Sequence, residues 1–297
     1  MPSTGESFGS AELAAARRTI ARVDNIAFVK GHGTRNDFVL LPDPDGALAL
    51  TAEMAAAICD RRSGIGADGV LRVVRADAEA DAIAMAGSAT WFMDYRNSDG
   101  SISETCGNGL RVFARFLVDT GLAQPGRLQI ATRGGVVHLD VDIDGDVTVD
   151  MGAATLGTLS TAVVGDVAYE GVMVSMGNPH LVCVTDADLE SLDLTTIPDV
   201  DPLAFPAGVN VEFVNIVGDR HAVMRVHERG SGETQSCGSG ACAVAAVLAA
   251  IDGSLTGEYL IDLPGGRLSV RFDDEGHLLL RGPAVLVAEG FWRTDRH

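Results

Sequence analysis

The sequence predicts an α+β fold made of two similar domains that arose by internal duplication, on three observations. Short β-like runs divided by Gly-rich turns outnumber helical segments, and a regular βαβ alternation is missing. A Cys-Gly-x-Gly turn that opens an apolar helix occurs twice, at Cys106-Gly107-Asn108-Gly109 and at Cys237-Gly238-Ser239-Gly240. Two further landmarks precede it in the same order in each half. Asn36 before Phe38-Val39 matches Asn178 before Leu181-Val182, and Gly69-Val70 matches Gly208-Val209. The offset between the copies drifts by only about a dozen residues, which surface loops absorb at small entropic cost.

In chain order, residues 1–25 are an Ala-, Ser- and Arg-rich extension with a helical stretch expected over 11–22. The fold begins at Ile26, with a strand over 26–30 ending in the Gly31-His32-Gly33 turn and a second strand over 38–41. A helix is expected over 51–62, with Thr51 as N-cap, Arg61 and Arg62 at the C-terminal dipole and Gly64 as stop. Strands follow over 70–74 and 91–96, separated by an acidic surface excursion at 76–89. Leu110, Phe113, Phe116 and Leu117 carry the helical period after Cys106 until Gly121 stops it. Meander-like strands then cover 128–132, 136–141 and 147–150, with turns such as Arg133-Gly134-Gly135 and Asp144-Gly145-Asp146. The same texture returns over 162–167, 171–175, 211–217, 222–226, 268–272 and 278–281, interrupted by a helix over 241–250 that Gly253 stops.

Bulk properties exclude several classes. With 297 residues, 46% of them apolar and 21% charged, the chain suits two soluble domains with sizeable cores. A net charge of −19 argues against nucleic acid and anionic membranes as partners, since phosphates call for clustered Lys and Arg. Glu6, Glu12, Arg17 and Arg18 interrupt any would-be signal peptide, and no apolar run nears the ~20 residues of a membrane span. A cytoplasmic protein is expected. Lys30 is the only lysine, so a pyridoxal-phosphate cofactor would have one anchoring candidate. Five cysteines, an odd number without C-x-x-C spacing, argue against a disulfide scaffold and a zinc knuckle alike, so no metal is expected. Cys59, Cys183 and Cys242 sit in apolar runs and read as core.

Cys106 and Cys237 read differently. A cysteine at the first turn of a helix faces unsatisfied backbone N–H groups and the positive end of the dipole, while adjacent glycines admit a ligand to the backbone. Both effects are expected to lower the thiol pKa from about 8.5, and the same donors can hold a carboxylate. Duplication sets two such turns on opposite sides of one cleft, so one thiolate can take a Cα proton while the facing thiol returns one. A Cys nucleophile served by His180, a thiol-redox protein and a non-catalytic binding protein are the competing readings. Gly64-Ile65-Gly66-Ala67-Asp68-Gly69 matches G-x-G-x-x-G but follows a helix and precedes a strand, the wrong context for a dinucleotide site.

From Ile26 onward the chain resembles the diaminopimelate epimerases. The segments that carry the likeness are Lys30-Gly31-His32-Gly33, Asn36-Asp37-Phe38, Gly64-Ile65-Gly66-Ala67-Asp68-Gly69, Tyr95-Arg96-Asn97-Ser98-Asp99-Gly100-Ser101 and Cys106-Gly107-Asn108-Gly109, followed by Met176-Gly177-Asn178-Pro179-His180, Gly208-Val209-Asn210-Val211-Glu212-Phe213, and His227-Glu228-Arg229-Gly230 through Cys237-Gly238-Ser239-Gly240. Gly69 stands where many relatives carry Gln. The resemblance implies two domains, each a mostly antiparallel sheet wrapped around a central helix, with the C-terminal strand returning to the first: 26–150 plus 283–297, and 151–282. It implies interconversion of LL- and meso-2,6-diaminoheptanedioate on the route to lysine and peptidoglycan, with no cofactor and no metal. Cys106 and Cys237 would be the acid–base pair. Gly107, Asn108, Gly238 and Ser239 would hold the reacting carboxylate through backbone N–H groups. Asn36, Asn97, Asn178, Asn210 and Arg229 would read the distal end, Glu228 would accept its ammonium, and His180 and Glu228 would influence the thiols. A homodimer acting on a small-molecule substrate is expected.

Overall fold

The computed structural model describes residues 25–143 and 145–294, so the helical stretch expected over 11–22 lies outside the described residues. Strand β1 (Asn25–Gly33) runs antiparallel to β2 (Asn36–Pro42). It is longer than the sequence reading has it, because Gly31-His32-Gly33 stays extended and the chain reverses at Thr34 and Arg35, with φ of 48° and 63°. Left-handed backbone at two non-glycine residues is uncommon. Thr34 is pinned there by a 2.6 Å hydrogen bond to Ser236 Oγ and by Arg111 Nη2, which donates to its Oγ1 at 3.0 Å.

Helix α1 (Ala52–Cys59) starts as expected, with Thr51 Oγ1 accepting from Met54 N at 3.2 Å. It stops short of residue 62 because Asp60 Oδ1 captures the N–H groups of Arg62 and Ser63 and turns the chain. Arg61 consequently serves no helix dipole; it bridges Asp37 and Asp68, each at 2.7 Å. Strands β3 (Gly69–Arg75) and β4 (Trp91–Asn97) bracket the 76–89 segment. That segment is only partly surface, since it forms two 3-10 turns whose Ala76 and Ala82, together with Ala89, pack under Phe92.

After β4 come α2 (Gly107–Asp119), β5 (Gly126–Thr132), β6 (Gly135–Val141) and β7 (Asp146–Asp150). The second half begins with the hairpin of β8 (Thr155–Val164) and β9 (Val167–Ser175). Its turn falls at Gly165-Asp166, inside the stretch read as a strand to 167, because Gly165 adopts a φ of 60°. Next are β10 (Pro179–Val184), the short β11 (Asp199–Val200), β12 (Asn210–Gly218), β13 (His221–Glu228) and the short β14 (Gly232–Thr234). Helix α3 (Gly238–Asp252), β15 (Glu258–Leu263), β16 (Gly266–Phe272), β17 (Leu278–Pro283) and β18 (Val285–Arg293) complete the fold.

Pairing exposes the duplication. The order β18-β1-β2-β3-β4-β5-β6-β7 runs antiparallel, antiparallel, parallel, antiparallel, parallel, antiparallel, antiparallel. The order β8-β9-β10-β12-β13-β15-β16-β17 repeats that sequence of directions throughout. The last strand of the chain therefore fills, beside β1, the place that β8 fills beside β9. Antiparallel pairing of β7 with β17 joins the two sheets at their edges.

Each sheet curls around one helix. Phe38, Leu40, Leu71 and Val73 face α2, whose Phe113 and Leu117 are fully buried, while the alternate residues Val39 and Leu41 face α1. Around α3 the residues Ala241 through Ala249 are all buried, as an all-apolar helix requires. Among the described residues no helix is long and apolar enough to cross a membrane. Truncating Phe113 to Ala is expected to cost about 3–5 kcal/mol of unfolding free energy, measured by urea titration; a loss under about 1 kcal/mol would contradict a helix-centred core.

Candidate active site

The two Cys-Gly-x-Gly turns have the same local structure. Cys106 is the N-cap of α2 and Cys237 the N-cap of α3, both with extended backbone, and each Sγ accepts from the N–H three residues on (Gly109 and Gly240), at 3.4 Å in both cases. Sulfur thus takes the role an Asp or Ser oxygen usually has. The first-turn N–H groups of Gly107, Asn108, Gly238 and Ser239 have no partner within their own helices.

The helix starts abut. Asn108 Nδ2 donates to the carbonyl of Ser236, the residue before Cys237, at 3.0 Å, and to Asn36 Oδ1 at 3.1 Å. A Cβ at Gly238 would stand 3.4 Å from Asn108 Oδ1 and 3.8 Å from its backbone N. Glu228 influences both thiols electrostatically, so they share one neighbourhood.

The remaining predicted residues divide into connected and peripheral ones. Asn36 accepts weakly from the Cys106 thiol at 3.9 Å, and its Nδ2 donates to Asp68 Oδ2 at 2.7 Å. Asn178, at the equivalent place, donates from Nδ2 to Ser239 Oγ at 3.4 Å, and that hydroxyl lies 3.6 Å from the Cys237 sulfur. His180 is fully buried between Asn178 Oδ1 (3.1 Å from Nε2) and Glu212 Oε1 (2.6 Å from Nδ1). Asn210 Oδ1 accepts from the Arg229 N–H at 2.9 Å. The exposed Arg229 guanidinium donates to the Ala207 carbonyl and forms no ion pair among the described residues. Asn97 is held by Ser101 Oγ at 3.0 Å and bonds to none of the others. Glu228 accepts from Thr234 Oγ1 and from the Cys237 thiol.

Thiol electrostatics contradict the expectation of lowered values. Burial pushes Cys106 up to about 11, outweighing the N–H groups of Gly109 and Asn108, and the Glu228 carboxylate adds to the rise. Cys237 is raised as well, by burial first and then by Glu228 and Glu212. Desolvation of a thiolate at this depth exceeds what two or three backbone donors return. Cys59, Cys183 and Cys242 are buried as expected. Gly69 is tightly packed, since a Cβ there would meet Arg96 O and Tyr95 Cε2 at 2.6 Å.

Two participants escaped the sequence reading. Asp68 fixes the Asn36 amide, and Glu212 is a fully buried carboxylate against the Cys237 turn. Glu212 had a visible signal, being the one charged residue in the otherwise uncharged run 208–218. Asp68 had none beyond its place in a Gly-rich loop.

Comparisons with known proteins give the family and the fold. A profile of diaminopimelate epimerase matches residues 28–157 and 172–287. The chain belongs to the diaminopimelate epimerase family. A diaminopimelate epimerase of Streptomyces coelicolor is 53% identical over 274 residues, covering 89% of this chain and 94% of that one. A diaminopimelate epimerase of Acidothermus cellulolyticus is 49% identical over 293 residues, covering 90% and 96%. Solved structures share the fold of this epimerase family at low identity. A PhzF-family phenazine biosynthesis protein of Bacillus anthracis has a TM-score of 0.69 at 18% identity, covering 90% of this chain and 99% of that one. A hydroxyproline epimerase of Agrobacterium vitis has 0.63 at 14%, covering 91% and 93%.

Because both thiols sit above their ordinary range, their thiolate fraction at neutral pH is small and grows with pH. Alkylation of Cys106 by iodoacetamide is expected to accelerate about tenfold per pH unit between pH 7 and 10, followed by peptide mass spectrometry. A plateau reached by pH 8 would show an ordinary or lowered thiol.

Proposed function

We propose that this protein interconverts LL- and meso-2,6-diaminoheptanedioate, in lysine and peptidoglycan precursor synthesis, by a two-base mechanism in which Cys106 and Cys237 act as acid and base. The observation that carries the reading is the pair of cysteine N-caps on abutting helix starts, one from each copy of a duplicated domain. Such a pair fits an α-amino acid whose reacting carboxylate lies between the two helix starts, held by the first-turn N–H groups of Gly107-Asn108 and Gly238-Ser239.

Chemistry follows from that placement. One cysteine, as thiolate, removes the Cα proton, and the C–H electron pair moves into the carboxylate. Charge growing there meets preorganised donors in a water-poor cleft, where they count most. The facing thiol delivers its proton to the opposite face of Cα, inverting it and becoming thiolate. Since both thiols are raised in the empty cleft, bound substrate has to lower one of them. No cofactor enters this scheme.

Selectivity in this reading belongs to the distal end. Arg229 supplies a guanidinium fork for the distal carboxylate, with Asn36, Asn97, Asn178 and Asn210 as neutral amides around it. Glu228 takes the distal ammonium, and with His180 it tunes the thiols.

Incubation with LL-diaminopimelate in heavy water, without added cofactor, is expected to give meso product with deuterium at Cα. Cys106→Ser and Cys237→Ser are each expected to lose about a hundredfold or more of that turnover. Undiminished turnover in either variant would remove that cysteine from the pair.

We also propose a cytoplasmic homodimer. In support, the edge strand β18 and the strand β8, covered at its far side only by the two-residue β11, expose apolar side chains, among them Phe291 at 53% and Leu159 at 61%. Light scattering is expected to give twice the chain mass of 30.9 kDa; a monomer at micromolar concentration would overturn this.

A further inference from the structure

The two cysteine turns have the same backbone but different surroundings. In the parallel pairs, Phe38 faces Gly69 and Leu40 faces Leu71, while His180 faces Asn210 and Val182 faces Glu212. Phe38 and Leu71 in the first half therefore correspond to His180 and Glu212 in the second, and Gly69 corresponds to Asn210, two residues beyond the Gly208 that the sequence match assigns it. Their contacts agree. A Cβ at Gly109 would lie 3.5 Å from Leu71 and 3.6 Å from Phe38, in ordinary apolar contact. A Cβ at Gly240 would lie 2.7 Å from Glu212 Oε1 and 3.3 Å from the Cys237 sulfur, so carboxylate and sulfur flank one small gap.

Glu212 is fully buried. Its Oε1 takes the His180 Nδ1 contact, and its Oε2 meets no hydrogen-bond donor among the described residues. A buried carboxylate with an unmet oxygen is costly, and replacing it by an apolar residue would ordinarily be tolerated or stabilising. The first half makes that choice with Leu71. Other titratable groups around Glu212 are His180 and Cys183 on β10, Glu228 on β13 and Cys237 on α3.

We infer that Glu212 is the residue that makes the two thiols inequivalent, holding the proton on Cys237 while the cleft is empty and leaving Cys106 the more easily ionised of the pair. Among the described residues it makes no hydrogen bond to either thiol, so it is a positioning residue: burial raises its carboxyl and the His180 contact opposes that rise, keeping charge against the Gly240 turn. Glu228 and Glu212 are the leading charges that oppose ionisation of Cys237, whereas Glu228 leads at Cys106, whose turn packs on Leu71 and Phe38 instead of a carboxylate. The inference deepens the two-cysteine reading and rests on it.

The test is competitive iodoacetamide labelling of the substrate-free protein at pH 8, with the Cys237:Cys106 rate ratio read by peptide mass spectrometry. Glu212→Gln keeps the size and the acceptor for His180 Nδ1 but removes the charge. Its ratio is expected to rise about tenfold over wild type, as a shift of about one pH unit at a single thiol would give, with the Cys106 rate unchanged. A ratio within twofold of wild type, or a parallel rise at both thiols, would overturn the inference. Should Glu212→Gln fail to fold, His180→Phe with Glu212→Leu transplants the pair that the first half already packs, and the same criterion applies. Labelling needs no turnover, so its result stands apart from the Cys→Ser test of the mechanism.

Discussion

A sulfur atom serving as the cap of a helix constrains most of this molecule. At Cys106 and Cys237 the side chain must fold back over the first turn to meet the N–H three residues on, which fixes its rotamer and aims it along the helix axis. Everything that positions a thiol therefore reduces to positioning a helix start. Each helix is buried along its length in a curled sheet, so its start moves only with the whole domain. The Asn108 side chain then ties one start to the other, through the Ser236 carbonyl and the Thr34–Ser236 hydroxyl pair. Rigid cores and one polar seam define where the sulfurs sit.

That constraint also sets the electrostatics. Helix starts favour anions, yet both thiols are raised, because the scaffold that aims them also removes them from water. A cleft that held a permanent thiolate would expose a reactive nucleophile to any oxidant or electrophile. A raised thiol is correspondingly less reactive at neutral pH, and in the proposed mechanism bound substrate is what lowers one of the pair.

Much of this was legible in the sequence, for identifiable reasons. The two helices, their cysteine starts and their glycine stops follow from apolar period and cap chemistry, and Thr51 as a cap follows from the same rules. Strand ends were read less well where a side chain, rather than glycine or proline, turns the chain. Asp60 ends α1 early, and Thr34-Arg35 reverse the chain with left-handed backbone that only tertiary contacts to Ser236 and Arg111 justify. Strand β15 was missed although its signals were present: Tyr259, Ile261 and Leu263 alternate towards the core between Gly257 and Pro264-Gly265-Gly266. At the site, residue identities were visible and their environment was not: the sign of the thiol shift depends on burial, which no local spacing encodes.

Duplication supplies the geometry, and divergence within it supplies direction. Repeating one order of strand directions gives each half the same cysteine-capped helix start, with β18 lying beside β1 as β8 lies beside β9. A symmetric cleft would give two identical thiols that compete for one proton. In the copies, however, glycine at the fourth motif position serves different ends. Gly109 has ordinary room above Leu71, whereas at Gly240 any Cβ would collide with the Glu212 carboxylate. The same four-residue signature is thus kept in the first half for the turn itself and in the second for the charge packed beneath it. The two cysteine turns thus differ in the charge packed against them while sharing one backbone.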